Sequence, residues 1–405
     1  MVCTLKHLSL CSEMEALYLF NPENDMALAC GDPYYMAPAS ARRMAAELSV
    51  LPAWYAEQGG TVWLDSALRM KTMERQSFLP PSVNWTSEFL PIYNKVIPWG
   101  WNPSLVRRLQ EAGFPDTAYP SVERMKRIRQ ISGRQTAVKV LRRLCRHIGG
   151  NIPTLGEAFV LSSTEKVKAF VLSHPRALLK APWSGSGRGI QYVSGSFTIP
   201  LEGWIRHILT TQHEVIGEPF YDKLLDFAME FFADEWGQVH FIGYSLFETD
   251  KRGVYKENLL AADRVIEERI STYVSAEILH QVGRALQVEL AEVIKGSYEG
   301  YLGVDMMICR TQNGGYAIHP CVEINLRMNM GVVARLIYDN YVCDGVQGRY
   351  VIEYYAKPGG KWKSEVGLFV TYTGREQYVL SGIYLNLIFR IKEDTEKRGW
   401  LPSTP

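Results

Sequence analysis

The chain has 405 residues, which is long enough for two or three subdomains rather than one core. Hydrophobic residues make up 47% and charged residues 21%, a composition typical of a soluble globular protein. Lys and Arg number 44 against 43 Asp and Glu, so the chain lacks the overall positive charge that attracts nucleic acid. No apolar run approaches the roughly 18 residues that a membrane helix needs. We therefore expect neither nucleic acid nor a membrane as a partner.

The seven cysteines are scattered along the chain and none forms a Cys-x-x-Cys pair. This pattern indicates neither a disulfide framework nor a zinc site, and a reducing cytoplasm is the expected location. Residues 1–13 are expected to form a disordered tail. The oligomeric state stays open, and a homodimer is compatible with the sequence.

The first part of the chain alternates strand and helix patterns. A short apolar strand, "ALYLF" (residues 16–20), leads into the polar turn "NPEND" (residues 21–25). The patterns that follow are helices at 38–48 and 51–58, the strands "TVWLD" and "KVIPWG", and the helix "NPSLVRRLQEAG". In that last helix Asn102 is the predicted N-cap and Gly113 follows the end. This alternation predicts an N-terminal α/β domain with a largely parallel sheet over residues 14–120.

The turn "NPEND" has two interpretations. Asn21, Glu23 and Asp25 follow the first strand, and open α/β sheets bind ligands at the carboxyl ends of their strands, so the turn is a candidate site for the acceptor or the carboxylate substrate. Alternatively, it is an ordinary turn in which Asn21-Pro22 starts the reversal and a polar side chain caps the next helix.

Farther along, the chain becomes basic and helical from Ser121, with a second helix at about 134–147. The strand "RALLKA" then opens the segment "LLKAPWSGSGRGIQYV" (residues 178–193). Strands are predicted near "HEVIGEPF", "FAMEFFAD" and "QVHFIGYSLFET", followed by a long helix capped by Ser275. Two further strands flank "TQNGG", which is a hairpin signal. The last sixty residues include two strand-like stretches.

The segment around Lys180 is neither of the familiar glycine loops. A Walker A loop places its lysine after the glycines, whereas Lys180 precedes them, and a dinucleotide fingerprint opens a helix, whereas "IQYVSG" predicts a strand. A strand, glycine loop and strand can fold over a polyphosphate and donate backbone N–H groups to it. From this segment alone, a flexible hairpin with a surface lysine is equally compatible.

A second polar group lies in the predicted hairpin. In "CVEINLRMN" the polar residues Glu323, Asn325 and Arg327 alternate with apolar residues and share one strand face. If "NGG" forms a three-residue loop with Gln312 opposite Tyr316, Asp305 pairs with Glu323. Two carboxylates about 5 Å apart need a positive charge between them, and oxygen ligands without His or Cys favour magnesium or manganese. Pro320 suits an edge or a bulge and weakens this register.

Taken in order, these motifs resemble the ATP-grasp superfamily over roughly residues 121–340. The resemblance implies an N-terminal α/β domain followed by an ATP-grasp fold of two α+β subdomains, residues 121–212 and 213–345, with a C-terminal extension over 346–405. It implies ATP and Mg2+ (or Mn2+) as cofactors. The residues implied to contact ATP are Lys180 and the loop residues Ser184, Gly185, Ser186, Gly187, Arg188 and Gly189, together with Glu218 in the hinge and Asp226 at the ribose.

The same resemblance assigns roles near the transferred phosphate. It implies Asp305, Glu323 and Asn325 as metal ligands, Lys256 as a later basic residue near the γ-phosphate and Arg327 as a residue facing the substrate. Many members have a helical lysine at the first basic position, where this chain offers Arg134, with Lys139 as second choice. An arginine still binds phosphate, although as a fork rather than a point charge. The eight histidines share no motif and are expected to be structural or on the surface.

The implied reaction phosphorylates a carboxylate with ATP and then joins the acyl carbon to an amine or a similar nucleophile. The expected partners are therefore small carboxylates and amines. Phosphoryl transfer depends on positioning and charge neutralisation, which lysines, arginines and metal ions supply. Two alternatives stay open: a kinase of small metabolites with the same nucleotide site, and a nucleotide-binding regulatory protein without catalysis.

Overall fold

A computed structural model describes residues 16–66, 80, 82–148, 153–185, 189–249, 255–342, 345–354, 377–381 and 385–391. The predicted tail at residues 1–13 and the loop residues Ser186, Gly187 and Arg188 lie outside this set. Among the described residues, no helix combines the length and the apolar character that crossing a membrane requires.

The N-terminal part contains the predicted parallel sheet. Its strands, in the order β3-β2-β1-β4, are β1 (Ala16–Leu19), β2 (Thr61–Trp63), β3 (Asn84–Thr86) and β4 (Lys95–Pro98). Its helices are α1 (Asn24–Cys30), α2 (Ala39–Glu47) and α3 (Pro103–Glu111), with short 3-10 helices at Leu51–Trp54 and Asp116–Ala118. The helix predicted over 51–58 is therefore a single 3-10 turn. Asn102 caps α3 as predicted, because its side chain accepts a hydrogen bond from the Leu105 amide at 3.0 Å.

The turn between β1 and α1 is fixed to the end of β4. The Asn21 side chain donates to the Gly100 carbonyl at 2.8 Å and accepts from the Gly100 amide at 3.3 Å. Asn24, only 1% exposed, packs on the same glycine, where a Cβ would lie 2.5 Å from its Cγ. This scaffold of buried amides holds Asp25, the next residue, at the carboxyl edge of the sheet.

A second sheet is antiparallel and carries the glycine loop. Its strands, in the order β5-β8-β6-β7, are β5 (Phe159–Leu161), β6 (Arg176–Lys180), β7 (Ile190–Ser194) and β8 (Val215–Pro219). The helices α4 (Val122–Ile131) and α5 (Arg134–His147) precede it, and α6 (Thr164–Ser173) and α7 (Ile199–Gln212) share its core. The glycine loop thus joins two strands, as predicted, and Lys180 is the last residue of the first.

The third sheet has eight described strands in the order β13-β12-β9-β10-β11-β14-β16-β15. They are β9 (Lys223–Ala233), β10 (Val239–Thr249), β11 (Tyr255–Leu260), β12 (Gly300–Arg310), β13 (Tyr316–Asn325), β14 (Gly348–Tyr354), β15 (Gln377–Ser381) and β16 (Leu385–Ile391). The helices of this part are α8 (Asp263–Ile270), α9 (Ala276–Ile294), whose N-cap is Ser275 as predicted, and α10 (Met330–Tyr341). The strands at the C-terminal end therefore continue the sheet that carries the predicted metal ligands.

The two faces of this sheet differ in chemistry. On β9 the alternate residues Phe227, Met229 and Phe231 are fully buried in the main core, which also includes residues of α5 and α9. Their neighbours Asp226 and Glu230 point to the opposite face, because successive side chains of a strand alternate. That opposite face is where the acidic residues of the sheet collect.

The β12–β13 hairpin confirms one predicted pair by a different route. Asp305 lies opposite Glu323, as predicted, but next to the turn Arg310 pairs with Tyr316, so the loop is longer than "NGG". The register shifts between Asp305 and Met307, where the pairing skips from Glu323 to His319. A bulge on β13 that contains Pro320 accounts for the shift, since proline cannot donate to the ladder. The longer loop and the bulge shift the register in opposite directions, so Asp305 still lies opposite Glu323.

Candidate functional site

Arg134, at the start of α5, connects the glycine loop to the hairpin. Its guanidinium donates to both carboxylate oxygens of Glu323, at 2.9 and 2.8 Å. It also donates to the Ala181 carbonyl at 2.7 Å and to the Ser184 hydroxyl and carbonyl at 2.6 and 3.2 Å. The Arg134 side chain is 5% exposed and that of Glu323 is 24% exposed. The predicted first basic residue therefore pairs directly with a predicted metal ligand.

Lys180 and Glu218 form a second buried ion pair. Their charged atoms are 2.6 Å apart and the side chains are 4% and 5% exposed. In the antiparallel pairing of β6 with β8, Glu218 lies opposite Leu178, so it is the diagonal neighbour of Lys180 on the same face. The strand lysine and the predicted hinge acid are thus brought together, although the sequence assigned them separate roles.

A chain of polar contacts links the hairpin to the N-terminal turn. Asn325 donates to Asp305 at 3.1 Å and accepts from the Arg327 guanidinium at 3.0 Å. Arg327 also holds the Asp25 carboxylate in a fork, with Nε donating to Oδ1 at 2.9 Å and Nη2 donating to Oδ2 at 2.8 Å. The two charged side chains are 16% and 20% exposed. One residue of "NPEND" therefore reaches the predicted catalytic arginine.

One pocket is lined by Asp25, Glu323, Asn325 and Arg327 together. It lies between helix α1, the start of the glycine loop and the end of the hairpin. Its lining residues are Asn24, Asp25, Leu28, Ser132, Pro182, Trp183, Ser184, Glu323, Ile324, Asn325, Leu326 and Arg327.

Trp183 lines the pocket and also anchors the loop. Its indole N–H donates to the Arg129 carbonyl at 3.1 Å, and the Arg129 guanidinium lies 4.7 Å from the ring centre. Arg129 also donates to the Leu28 carbonyl of α1 at 2.7 Å. These contacts tie the loop to the N-terminal helix.

The site contains more acidic than basic groups. Four acidic side chains (Asp25, Glu230, Asp305, Glu323) lie in one group with two guanidiniums (Arg134, Arg327). Burial and then the neighbouring carboxylates Glu323 and Glu230 raise the pKa of Asp305 to about 8. Burial likewise raises the pKa of Glu230 to about 7. Asp25 differs: burial opposes ionisation, but Arg327 holds the pKa of Asp25 below its usual value.

This excess of acidic groups suits a divalent cation. The described residues contain no group of three or more His, Cys, Asp or Glu side chains arranged as metal ligands. Asp305, Glu323 and Asn325 nevertheless converge as hard oxygen donors, the type that magnesium prefers. Burial and the neighbouring carboxylates raise the pKa of Asp305, and a cation bound beside it would favour the ionised form. These three residues therefore fit the implied metal once Arg134 releases Glu323 and the amide oxygen of Asn325 turns from Arg327.

Two predicted residues lie away from this group. Asp226 on β9 is paired with Lys223 at 2.5 Å, on the same sheet face as Asp305. Lys256 on β11 is 57% exposed and pairs with Glu248 at 3.3 Å. Lys256 thus lies with a largely exposed side chain on a strand that pairs with β10 and β14.

Two buried polar residues were not predicted. Glu230, 1% exposed, accepts from Ser245 at 2.8 Å and from Asn329 at 2.9 Å. It interrupts the apolar run "FAMEFFAD" as Asp305 interrupts "LGVDMMI", so the same signal would have found it. His319, also 1% exposed, has no hydrogen-bond partner at either ring nitrogen. No sequence signal distinguished it from the other histidines.

Comparisons with known proteins locate the fold. No family model matches the sequence, and no curated protein is detectably similar to it. The crystal structure of a biotin carboxylase–β-γ-ATP complex from Campylobacter jejuni is similar at 13% identity, covering 94% of this chain and 89% of that chain, with a TM-score of 0.50. An L-amino acid ligase from Bacillus licheniformis is 13% identical over 94% of each chain, with a TM-score of 0.43. A putative ATP-grasp superfamily protein from Archaeoglobus fulgidus is 14% identical over 94% of this chain and all of that chain (100%), with a TM-score of 0.40.

At this identity the likeness to the biotin carboxylase structure is one of fold. The chain has the ATP-grasp fold that the order of its motifs indicated, and the predicted α/β class is confirmed.

Proposed function

We propose that the protein is an ATP- and magnesium-dependent ligase that activates a carboxylate as an acyl phosphate and joins it to an amine or a similar nucleophile. The observation that carries this proposal is the convergence of the Arg134–Glu323 pair, the Asp305–Asn325–Arg327 group and the glycine loop on one pocket. Phosphoryl transfer needs cationic side chains that neutralise the phosphate charge, oxygen donors that hold a metal ion and a loop that keeps water out of the site.

The residues divide between the two ends of ATP. Lys180, buried at the end of β6, is the fixed positive charge for the α- and β-phosphates, and the loop from Ser184 to Gly189 covers them with backbone N–H groups. Glu218 and Asp226 face the adenosine end in this proposal. Glu218 keeps Lys180 oriented through the 2.6 Å ion pair until the lysine ammonium group pairs with phosphate.

At the reacting end, Asp305, Glu323 and Asn325 would hold magnesium, which supplies charge neutralisation for the phosphate oxygens. Arg134 then exchanges the Glu323 carboxylate for phosphate, because a guanidinium forks equally well onto either anion. Arg327 orients the carboxylate substrate beside Asn325. Lys256 remains a candidate for the γ-phosphate.

One observation favours the non-catalytic alternative. In this structure Arg134 holds both carboxylate oxygens of Glu323. Many members of the superfamily that the sequence resembles have a lysine at the position of Arg134. A permanent Arg134–Glu323 pair would leave two predicted metal ligands instead of three. Nucleotide binding without turnover is the behaviour expected of such a protein.

A substrate screen tests the proposal. Pools of carboxylates and amines are assayed for substrate-dependent ADP release, with Glu323→Gln as the matched variant. We expect release that depends on a carboxylate and is abolished in Glu323→Gln, which keeps the size of the side chain but removes its charge. Unchanged turnover in that variant contradicts the assignment. Hydroxylamine should trap an acyl hydroxamate, which a kinase of alcohols does not yield, and tight ATP binding without turnover supports the regulatory alternative.

A further inference from the structure

Asp25 is a charged residue on a rigid support. The amide contacts of Asn21 and Asn24 with Gly100 fix the turn before it. Its carboxylate faces the pocket and contacts Arg327, which is 302 positions away in the chain. An acid that only capped a short helix would need neither the buried amide support nor the distant partner. The arrangement delivers one carboxylate to the reacting end of the site.

We infer that Asp25 binds the nucleophile of the reaction as an ammonium ion, so that the second substrate is a primary amine that is cationic in solution. This inference rests on the proposed ligase function and narrows its nucleophile from any amine, thiol or hydroxyl to this class.

The contacts of Asp25 leave room for a second cation. A carboxylate has about four lone-pair positions, and Arg327 uses both oxygens from one side only, through its Nε and Nη2 atoms. The pocket is lined by two acids, Asp25 and Glu323, and Glu323 is the one that the proposed function assigns to the metal. Asp25 is thus the lining acid with capacity for an ammonium group.

Gly185 keeps the approach to Asp25 open. A Cβ at position 185 would lie 3.0 Å from Asp25 Oδ2. Gly185 is not among the glycines with positive φ, so its backbone conformation does not require glycine. What the missing side chain provides is space beside the carboxylate oxygen, at the point where the glycine loop crosses the N-terminal helix.

The charge state of Asp25 suits binding rather than proton transfer. Because Arg327 holds its pKa below the usual value, the carboxylate stays ionised and does not take a proton from the amine. An ammonium nitrogen has no lone pair, so it first loses one proton to the phosphate group of the acyl phosphate. The free amine nitrogen then forms a bond to the acyl carbon, the bond from that carbon to the phosphate oxygen breaks, and the second proton also passes to the phosphate. An acyl phosphate dianion and an ammonium ion thus give an amide and dihydrogen phosphate, which carries both protons.

The test compares a cationic with a neutral nucleophile. Hydroxylamine is largely uncharged at neutral pH and needs no ammonium site, whereas the amines found in the screen are cationic. Wild type, Asp25→Asn, Asp25→Glu and the control Asp32→Asn are assayed for hydroxamate and for amide product at several amine concentrations. Asp32 lies in the same segment, is exposed and contacts the Tyr34 amide, so it reports the effect of losing a nearby charge.

We expect Asp25→Asn to raise the KM for the amine by about 10- to 100-fold, the range of one hydrogen bond to a charged group. Hydroxamate formation should fall by a smaller factor than amide formation, because hydroxylamine needs no ammonium site and is affected only through the changed partner of Arg327. Asp25→Glu should recover part of the amine KM, and Asp32→Asn should match wild type. A urea midpoint for each variant confirms folding.

Two results overturn the inference alone. If Asp25→Asn loses hydroxamate and amide formation equally, Asp25 acts only by orienting Arg327. If it loses neither, Asp25 has no part in the reaction. A wild-type protein that releases no ADP and forms no hydroxamate overturns the ligase proposal together with this inference, so the failures are distinguishable.

Discussion

The ion pair between Arg134 and Glu323 should contribute measurably to the free energy of unfolding. Arg134 is 5% exposed and makes five hydrogen bonds, two to Glu323 and three to the loop. Removing one partner of a buried pair costs about 3–5 kcal/mol. Arg134→Met should approach that value, because it leaves Glu323 unpaired beside Asp305 and strips the loop of its donors.

Glu323→Gln should cost less, about 1–2 kcal/mol, since the amide oxygen still accepts from Arg134 and the repulsion with Asp305 disappears. In the double variant, position 323 carries no charge, so the loss of Arg134 leaves no unpaired carboxylate. The double variant should therefore lose about 2 kcal/mol less stability than the sum of the two single losses.

The free energy of unfolding is measured by urea titration at pH 7.5, with tryptophan fluorescence and circular dichroism compared to detect separate unfolding of subdomains. The prediction requires two results: Arg134→Met loses more stability than Glu323→Gln, and the double variant loses less than the sum of the two. Additivity within about 0.5 kcal/mol refutes the reasoning, because two residues that share a strong ion pair cannot act independently.

Three further predictions concern buried polar and aromatic groups. Asp305→Asn should be more stable than wild type by a margin that grows from pH 4 to pH 8. The pKa of Asp305 is raised to about 8 in the folded protein, so its carboxyl group ionises at a lower pH in the unfolded state. The free energy of unfolding of the wild type therefore falls by up to about 1.4 kcal/mol per pH unit in this range. Urea midpoints at both ends of this range check it, and a constant margin contradicts it. His319→Leu should resist acid better than wild type, because burial lowers the pKa of His319 to about 3 and the unfolded state takes up the proton below about pH 6.5; coincident acid-unfolding curves count against this. Trp183→Ala should cost about 2–4 kcal/mol through lost packing on Arg129, whereas Trp236→Ala, at a side chain 76% exposed, should stay within about 0.5 kcal/mol in the same titrations; equal effects would remove the proposed anchor.

Local patterns in the sequence were sufficient for much of the fold. The helix predicted over 134–147 has those bounds in the structure, and Asn102 and Ser275 cap their helices as expected. The strand, glycine loop and strand around Lys180 are also confirmed. These features depend on residues within a few positions of one another, where periodicity, capping and turn chemistry act.

The hairpin shows where local reasoning stops. A bulge at Pro320 and a longer turn each shift the register, and their effects cancel so that Asp305 faces Glu323. The sequence identified Glu323 because it alternates with apolar residues along its strand, and Asp305 because it interrupts the apolar run "LGVDMMI". It did not contain the shift itself, because a bulge depends on how two strands accommodate a residue that lacks an N–H group.

What the sequence by itself determined is the order of the motifs and the identity of most polar residues near the pocket. The tertiary structure alone decided their partners: Arg134 holds Glu323 across 189 positions, and Arg327 holds Asp25 across 302. An ion pair between distant segments leaves no periodic trace in either segment, since each charged residue is locally compatible with a solvated surface. Only the packing of the N-terminal sheet, the glycine loop and the hairpin around one pocket removes that solvent and selects the partners.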